Sequence, residues 1–250
     1  MPMKIKHLLA AFLSLVLVVT TAGAVELAAT PAPTTTIASD DNAKRFPAWN
    51  QECLDRVAAF KGKRCDIIFI GDSITRNFVI DPAAGWPLVG GPVWAKHYAN
   101  RYALDFGVGA DRTENVLWRL DHMDIKDLRP KVAVVLIGTN NYQNSPPDIA
   151  AGVAAVLART KQIFPGVKII LISILPNARA TQKMADANKI IQTFGDNQSV
   201  FYFDLAAKMT PVGDNWKGVG FDHLHLTPEG YELWAESMEP LLTKLLAGNN

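Results

Sequence analysis

Five short apolar segments recur along the chain, and segments of helical spacing separate them. The strongest are residues 66–70, 131–137 and 167–174, where apolar side chains follow one another without polar alternation. Such runs are typical of strands that are buried on both faces, as in a parallel sheet. Weaker strands are predicted at residues 102–106 and 200–203.

Helices are predicted between these strands, because apolar residues there recur at helical spacing. Their predicted ranges are residues 47–61, 113–120, 147–164, 180–194 and 227–246. The last begins with Thr227 as its cap and Pro228 at the first helical position. Alternating strands and helices predict an α/β fold with a doubly wound parallel sheet and helices on both faces. Ligands of such folds bind beyond the carboxyl ends of the strands.

The first residues have the pattern of an export signal. A short basic start precedes an apolar stretch that is too short for a comfortable bilayer span, and Ala22-Gly23-Ala24 forms a small-x-small site. Residues 1–24 are therefore predicted to be a cleaved signal peptide, with an uncleaved anchor as the alternative. Residues 25–45, rich in Ala, Thr and Pro, are predicted to be a flexible linker that adds nothing to the core. The domain then covers residues 46–250, and the protein is expected to be secreted or periplasmic.

The composition is that of an ordinary globular protein, and it narrows the range of partners. The chain is 49% hydrophobic and has a formal net charge of +1, from 25 basic and 24 acidic residues, with no long run of either sign. Nothing here favours nucleic acid or a polyanion as a partner, or recruitment to a membrane by charge. After signal cleavage no stable membrane insertion is expected. The oligomeric state is left open.

The expected export bears on the redox state of the two cysteines, Cys53 and Cys65. An even number of cysteines in an oxidising compartment favours a disulfide, and a helix followed by a tight reversal could bring these two within bonding distance. Two buried free thiols are the alternative. Neither cysteine has nearby residues in a zinc-ligand pattern.

Polar residues follow three of the predicted strands. Gly71-Asp72-Ser73 ends the first strand, Gly107-Val108-Gly109 the second and Gly138-Thr139-Asn140 the third. Ser73 is predicted to be a nucleophile displayed at the end of a central strand, although a serine there can also be only a helix cap. The backbone amides of Ser73 and Gly109 and the side-chain amide of Asn140 could stabilise an oxyanion. Asn140 could alternatively be a turn residue.

A serine hydroxyl is a weak nucleophile until a base takes its proton. His225 is the best candidate base, because the other histidines lie in the signal, in charged segments or, for His223, two positions before it. Asp222, three residues earlier, can fold back to fix the imidazole tautomer and stabilise the imidazolium. The predicted triad is therefore Ser73, His225 and Asp222. The spacing of the histidines and Asp222 completes no metal-ligand set, so neither a metal nor a cofactor is expected.

Four motifs in order resemble the sequence blocks of the GDSL, or SGNH, hydrolases: Gly71–Thr75, Gly107–Thr113, Gly138–Asn141 and Asp222–Leu226. Within that superfamily, residues 115–120 and 131–141 are similar to the β/γ-subunit type of platelet-activating-factor acetylhydrolase. The resemblance covers residues 66–242. Each block alone is weak, but four in the same order are specific.

The resemblance implies a flavodoxin-like three-layer α/β/α sandwich, no metal, and hydrolysis of a short acyl ester, often an acetyl ester. By position it implies Ser73 as nucleophile, Gly109 and Asn140 as oxyanion donors, and Asp222 with His225 completing the triad. Because export is expected, the anticipated substrate is a small-molecule or glycan ester such as an O-acetylated carbohydrate. The alternatives are a lysophospholipase or thioesterase for longer acyl chains and, less favoured, a non-catalytic carbohydrate-binding protein.

Two positions depart from the pattern of the family. Ala110 stands where related sequences often carry a second glycine, which leaves Gly109 intact but allows a different loop conformation. Tyr142 stands where the animal enzymes usually have histidine, which puts the acyl or leaving-group pocket in question. Tyr142 is a candidate substrate-binding residue, together with Arg112 and Asn141. Arg112 could instead brace its loop.

Three aromatic residues, Trp86, Trp94 and Tyr98, lie between the first two predicted strands. They could stack on a sugar in a binding cleft, but such residues more often belong to the core or to a lid. A groove formed by residues 86–94 would suit the longer acyl chains of the lipase alternative.

Overall fold

The structure is a computed structural model that describes residues 28–31 and 40–248. The predicted signal peptide, residues 1–24, lies outside the described residues, as does most of the predicted linker. Across the described residues, no helix is both long and apolar enough to cross a bilayer.

A parallel sheet forms the centre of the molecule. Its strands are β1 (Ile67–Gly71), β2 (Ala103–Gly107), β3 (Val132–Leu136), β4 (Lys168–Ile172) and β5 (Val200–Phe203). They lie in the order β2-β1-β3-β4-β5, which is the flavodoxin-like order. Gly71 pairs with Gly107 on one side and with Leu136 on the other, so β1, β2 and β3 end level with one another. The loops after these three strands therefore meet where the strand order reverses.

Helices cover both faces of the sheet. They are α1 (Asp40–Ala59), α2 (Ser73–Arg76), α3 (Gly91–His97), α4 (Thr113–His122), α5 (Pro146–Ile163), α6 (Thr181–Ile191) and α7 (Pro228–Ala247). Helices α1, α4, α5 and α6 pack on one face, whereas α3 and α7 pack on the other. A short antiparallel hairpin, β6 (Pro211–Val212) with β7 (Asn215–Trp216), precedes α7. The predicted three-layer α/β/α sandwich is confirmed.

The sequence of β1 is continuously apolar because the strand is buried on both faces. Ile68 and Ile70 face the core beneath α1, α4, α5 and α6, whereas Ile67 and Phe69 face the core beneath α3 and α7. All four side chains are fully buried. Full burial of such a side chain is worth about 1.5–3 kcal/mol, so both layers depend on this strand.

Helix α3 is absent from the predicted elements, because it has only seven residues and begins with Gly-Pro. Its aromatic residues belong to the core. The rings of Trp94 and Tyr98 lie 5.0 and 4.9 Å from the Phe69 ring, and Tyr98 is fully buried. Trp94 and Tyr98 therefore stabilise the β1 layer and form no sugar-binding cleft.

The predicted linker, residues 25–45, contributes to the fold at two points. Helix α1 begins at Asp40, inside the predicted linker. Ala28 is fully buried, and its carbonyl oxygen accepts a 2.7 Å hydrogen bond from Thr113 Oγ1. Gly152 makes room for it, since a Cβ there would lie 2.7 Å from the Ala28 oxygen. The prediction that this segment adds nothing to the core is wrong at Ala28.

The predicted disulfide between Cys53 and Cys65 is absent, and both residues are buried free thiols. Cys53 Sγ lies 3.9 Å from the sulfur of Met123 inside the helical layer. Cys65 Sγ instead donates to the carbonyl oxygen of Ile67, at 3.4 Å. Burial raises the pKa of both thiols, that of Cys65 to about 12, so neither forms a reactive thiolate near neutral pH.

We expect two thiols to react with Ellman's reagent when the non-reduced protein is unfolded in guanidinium chloride. In the native protein both should react far more slowly, because they are buried. Dithiothreitol should leave the melting temperature unchanged. Complete absence of thiol in the unfolded, non-reduced protein would show that the disulfide forms after all.

Candidate active site

Ser73 lies at the junction of β1 and α2, at the carboxyl end of the sheet. Gly71 allows β1 to lie this close to β3 and α2, because a Cβ there would overlap the Leu136 oxygen and Thr75 Oγ1. Asp72 caps α2, with its Oδ1 accepting from the amide of Ile74 at 2.9 Å. Tyr231 of α7 donates to the Ile74 oxygen at 2.7 Å. The amide and the carbonyl group of Ile74, the residue after the nucleophile, are thus both hydrogen-bonded, and Ser73 lines the pocket.

His225 and Asp222 lie in the loop before α7 and complete a chain of hydrogen bonds with Ser73. His225 Nε2 is 2.9 Å from Ser73 Oγ, and His225 Nδ1 is 2.6 Å from Asp222 Oδ2. The other carboxylate oxygen, Oδ1, accepts from the backbone amides of Leu224 and His225. The carboxylate is therefore fixed in direction as well as in position. This is the geometry that a serine nucleophile, a base and an orienting acid require.

Two carboxyl groups near Ser73 have opposite pKa shifts. Burial acts to raise the pKa of Asp222, but hydrogen bonds from His225 and Leu224 outweigh it and hold that pKa below its usual range. Burial raises the pKa of Asp72 to about 6, against the opposing hydrogen bond from Ile74 and the attraction of His225. Asp222 therefore stays ionised beside the imidazole, whereas Asp72 serves as a helix cap.

The predicted oxyanion donors converge beside Ser73. Gly109 follows β2, and Asn140 lies in a short 3₁₀ helix after β3. Asn140 Nδ2 donates to the Asp111 carbonyl oxygen at 2.9 Å, which connects the loops after β2 and β3. The structure thus brings together side chains and amides from three different strand ends.

A pocket of about 490 Å³ opens above these groups. It is lined by all the predicted catalytic and oxyanion residues: Ser73, Gly109, Asn140, Asp222 and His225. Three arginines also line it: Arg45, Arg76 and Arg179. Among the described residues, no group of three or more His, Cys, Asp or Glu side chains is placed to hold a metal ion.

The structure places two of the predicted substrate-binding residues outside the pocket. Asn141 is fully buried, and its side chain accepts from the Thr113 amide and donates to Glu114. Arg112 pairs with Glu114 at 2.8 Å and donates to Asn144 at 2.6 Å. Both side chains brace the loop around α4, so their assignment to the substrate is corrected.

Of the aromatic residues named from the sequence, Trp86 lines the pocket, and Tyr142 lies beside a lining residue, Arg179. Tyr142 is 37% exposed, and its ring lies 5.7 Å from the Arg179 guanidinium carbon; its contact with substrate stays a prediction. Trp86 lines the pocket, with its ring centroid 6.5 Å from that of His225 and 5.7 Å from that of Phe221. Of the three aromatic residues considered for a sugar cleft, only Trp86 lies at the pocket.

Two arginines to which the sequence analysis assigned no role contact the groups of the site. Arg119 of α4 is fully buried and binds Asp111 and the strand-end carbonyl groups of Gly71 and Phe106. Arg179 donates to the side chain of Asn140. Arg119 lies within residues 115–120, which carry part of the family resemblance, but that resemblance gave it no role, and Asp111 is eight positions away from it. Arg179 lies in none of the motifs, and 39 positions separate it from Asn140, so no local signal indicates this contact.

A model of the GDSL-like lipase/acylhydrolase family matches residues 69–233 of the chain. The chain belongs to the GDSL-like lipase/acylhydrolase family. Human platelet-activating factor acetylhydrolase IB subunit alpha2 is 28% identical over 200 residues, which cover 74% of this chain and 80% of the human protein. As a member of this family, the protein is a hydrolase that acts on ester bonds.

Solved structures of GDSL-type enzymes share the fold. A putative acylhydrolase from Bacteroides fragilis superposes with a TM-score of 0.64 at 19% identity, covering 78% of this chain and 96% of the other. A carbohydrate acetylesterase from Sinorhizobium meliloti gives a TM-score of 0.58 at 15% identity, with 73% and 100% coverage. At these identities the superpositions support the architecture.

Replacing the predicted nucleophile or base should abolish catalysis while leaving the fold intact. We expect Ser73→Ala and His225→Ala each to lower kcat/KM for an ester by about 1,000-fold or more, because each breaks the proton-transfer pair. Ser237→Ala is the matched control, since its hydroxyl donates only within α7. Near-wild-type turnover by either active-site variant would refute the assignment.

Substitution should be harmful at Gly109 and harmless at the adjacent Ala110. A Cβ at Gly109 would lie 2.5 Å from the ring of Trp49. Gly109→Ala should therefore displace the loop amide and lower kcat by about 100-fold or more. Ala110 has a φ of 60°, which glycine adopts freely, so Ala110→Gly should keep kcat close to wild type. Steady-state rates test both, and equal loss in the two variants would contradict this account.

Proposed function

We propose that the protein is an exported serine esterase that removes short acyl groups, chiefly acetyl, from O-acylated carbohydrates. The observation that carries the reaction is the chain of hydrogen bonds from Ser73 through His225 to Asp222, at the carboxyl edge of the sheet. Export rests on the sequence pattern of residues 1–24.

In the first half of the proposed reaction, His225 Nε2 takes the proton of Ser73 Oγ as that oxygen bonds to the ester carbonyl carbon. The carbonyl oxygen becomes an oxyanion that accepts hydrogen bonds from the amides of Ser73 and Gly109 and from Asn140 Nδ2. The bond from carbon to the alcohol oxygen then breaks, and His225 gives its proton to that oxygen. Asp222 stabilises the imidazolium between these two transfers.

Water completes the cycle on the acyl-enzyme. His225 takes a proton from a water molecule as the water oxygen bonds to the acyl carbon. The amides of Ser73 and Gly109 and Asn140 Nδ2 again donate to the oxyanion that forms. The bond to Ser73 Oγ then breaks, and His225 returns the proton to the serine. The products are the free acid and the regenerated enzyme.

The position of the aromatic residues supports a ring-shaped alcohol. Because His225 protonates the leaving oxygen, the alcohol must lie on the His225 side of Ser73. Trp86 lies on that side: its ring centroid is 6.5 Å from that of His225, and the residue is 40% exposed. Phe221, 67% exposed, meets Trp86 edge to face. Exposed aromatic faces of this kind suit the C–H face of a pyranose.

The names of similar proteins support an acetyl group as the acyl part of the substrate, but they point to different alcohol parts. The human relative is named for an acetylhydrolase of platelet-activating factor, and the Sinorhizobium meliloti fold neighbour is named a carbohydrate acetylesterase. A lipid ester is therefore the second candidate, and the exposed apolar surface of Trp86 and Phe221 is the feature that favours it.

Initial rates on p-nitrophenyl esters from acetate to dodecanoate test the acyl preference. We expect kcat/KM to be highest for acetate or butyrate and to fall steeply for longer chains. Ser73→Ala provides the blank for background hydrolysis. A maximum at long chains would support the lipase alternative and overturn the short-acyl proposal.

The preference for the alcohol part of the substrate is tested with acetyl esters that differ only in their alcohol. We expect acetylated xylopyranoside to be a better substrate than ethyl acetate, and Trp86→Ala to raise KM for the sugar by about 3- to 10-fold, the worth of one aromatic contact. Tyr102→Ala is the matched control, since Tyr102 is 49% exposed at the amino end of β2, away from the pocket. An equal effect of both substitutions would remove the support for stacking.

A further inference from the structure

The side-chain amide of Asn140 can serve the oxyanion only if its nitrogen, and not its oxygen, faces the reacting carbonyl. An asparagine side chain can rotate by half a turn and exchange these two atoms. In the rotated form an oxygen lone pair would face the developing negative charge. Something must therefore hold the amide in one orientation.

Two hydrogen bonds hold it. Asn140 Nδ2 donates one hydrogen to the Asp111 carbonyl oxygen at 2.9 Å, and Asn140 Oδ1 accepts from Arg179 Nη1 at 2.8 Å. A guanidinium can only donate, and a backbone carbonyl can only accept. Half a turn of the amide would place donor against donor at Arg179 and acceptor against acceptor at Asp111. The second hydrogen of Nδ2 remains for the oxyanion.

The backbone that carries Arg179 is anchored, and its exposed side chain extends from that segment to Asn140. Arg179 belongs to the segment between β4 and α6, where its backbone amide donates to Asn177 Oδ1 at 3.1 Å. The preceding amide, of Ala178, donates to the carbonyl oxygen of His223 in the catalytic loop at 3.0 Å. No carboxylate forms an ion pair with Arg179 in the described part of the chain. Its guanidinium lines the pocket and lies between the Asn140 amide, to which it donates, and the ring of Tyr142, whose centroid is 5.7 Å from the guanidinium carbon.

We propose that Arg179 is a positioning residue of the oxyanion hole, an inference that rests on the proposed esterase function. Its guanidinium fixes the orientation of the Asn140 amide. It also polarises that amide, because a charged donor on Oδ1 strengthens the N–H groups as donors. The contribution becomes important when negative charge develops on the carbonyl oxygen, so it acts on kcat more than on KM.

The test is a double-substitution cycle on p-nitrophenyl acetate. We expect Arg179→Met to lower kcat by about 10- to 100-fold with little change in KM, since loss of a whole oxyanion donor costs about 100- to 1,000-fold. In the Asn140→Ala background, Arg179→Met should change kcat by less than about 3-fold, because the group it positions is gone. Equal effects of Arg179→Met in both backgrounds would overturn the proposal.

Three further variants or measurements keep the result interpretable. Arg179→Lys retains a charged donor and should recover part of kcat. Arg64→Met is the matched control, since Arg64 also lies over an exposed tyrosine, Tyr102, with its guanidinium carbon 4.6 Å from the ring centroid, but far from Asn140. Melting curves establish that each variant folds. If Arg179→Met does not fold, the comparison of Arg179→Lys in the two backgrounds decides the question by the same criterion.

Failure of the inference can be told apart from failure of the esterase proposal. The rate at which a fluorophosphonate labels Ser73 reports on the same oxyanion hole without any knowledge of the natural substrate. Absence of both labelling and ester hydrolysis in the wild-type protein would refute the esterase function. If the wild-type protein is labelled and active, and the Arg179→Met variant is labelled at the same rate, only the role of Arg179 is refuted.

Discussion

The arrangement of the site depends on one buried cation, the guanidinium of Arg119. It is fully buried, and it donates to Asp111 at 2.6 Å and to the carbonyl oxygens of Phe106 and Gly71 at 2.8 and 3.2 Å. These partners come from the ends of β1 and β2 and from the loop that carries Gly109. Removing one member of a buried ion pair costs about 3–5 kcal/mol, because the other charge is left without compensation. Arg119 thus holds the nucleophile strand and the oxyanion loop in a fixed relation.

A second connection continues from the same loop. The side chain of Asp111 binds Arg119, and its backbone oxygen accepts from Asn140. Arg179 then binds the far side of the Asn140 amide. One continuous polar network therefore passes from the interior beneath β1, through both oxyanion loops, to the pocket surface. The ends of β1, β2 and β3 lie level and bring the catalytic and oxyanion residues to one edge of the sheet. The polar network then fixes the orientation of the Asn140 amide and of the loop that carries Gly109.

The strands and the reacting groups could be predicted from sequence because their signals are local. The continuous apolar run at 131–137 can only be satisfied by burial on both faces, and β3 lies within it. Ser73, Gly109 and Asn140 each follow a strand, and parallel strands end at a common edge. That edge brings them together without any knowledge of tertiary contacts.

What could not be predicted depends on the direction of a side chain or on a distant partner. Arg112 and Asn141 neighbour catalytic motifs, yet both turn into the protein toward Glu114. Arg179 and Asn140 are 39 positions apart, and no periodicity connects them. The expected disulfide fails for the same reason, since compartment and spacing do not determine where the thiols of Cys53 and Cys65 point.

The buried position of Ala28 changes where this domain begins for anyone who expresses a fragment of it. Thr113 is the first residue of α4, and its hydroxyl is occupied by the Ala28 oxygen, while Gly152 of α5 leaves the space in which that oxygen lies. A fragment that starts at residue 46 lacks Ala28, so water would enter the space between Thr113 and Gly152. That space lies directly beside the hydrogen bond between Glu114 and Asn141. The natural boundary for recombinant work therefore lies before Ala28.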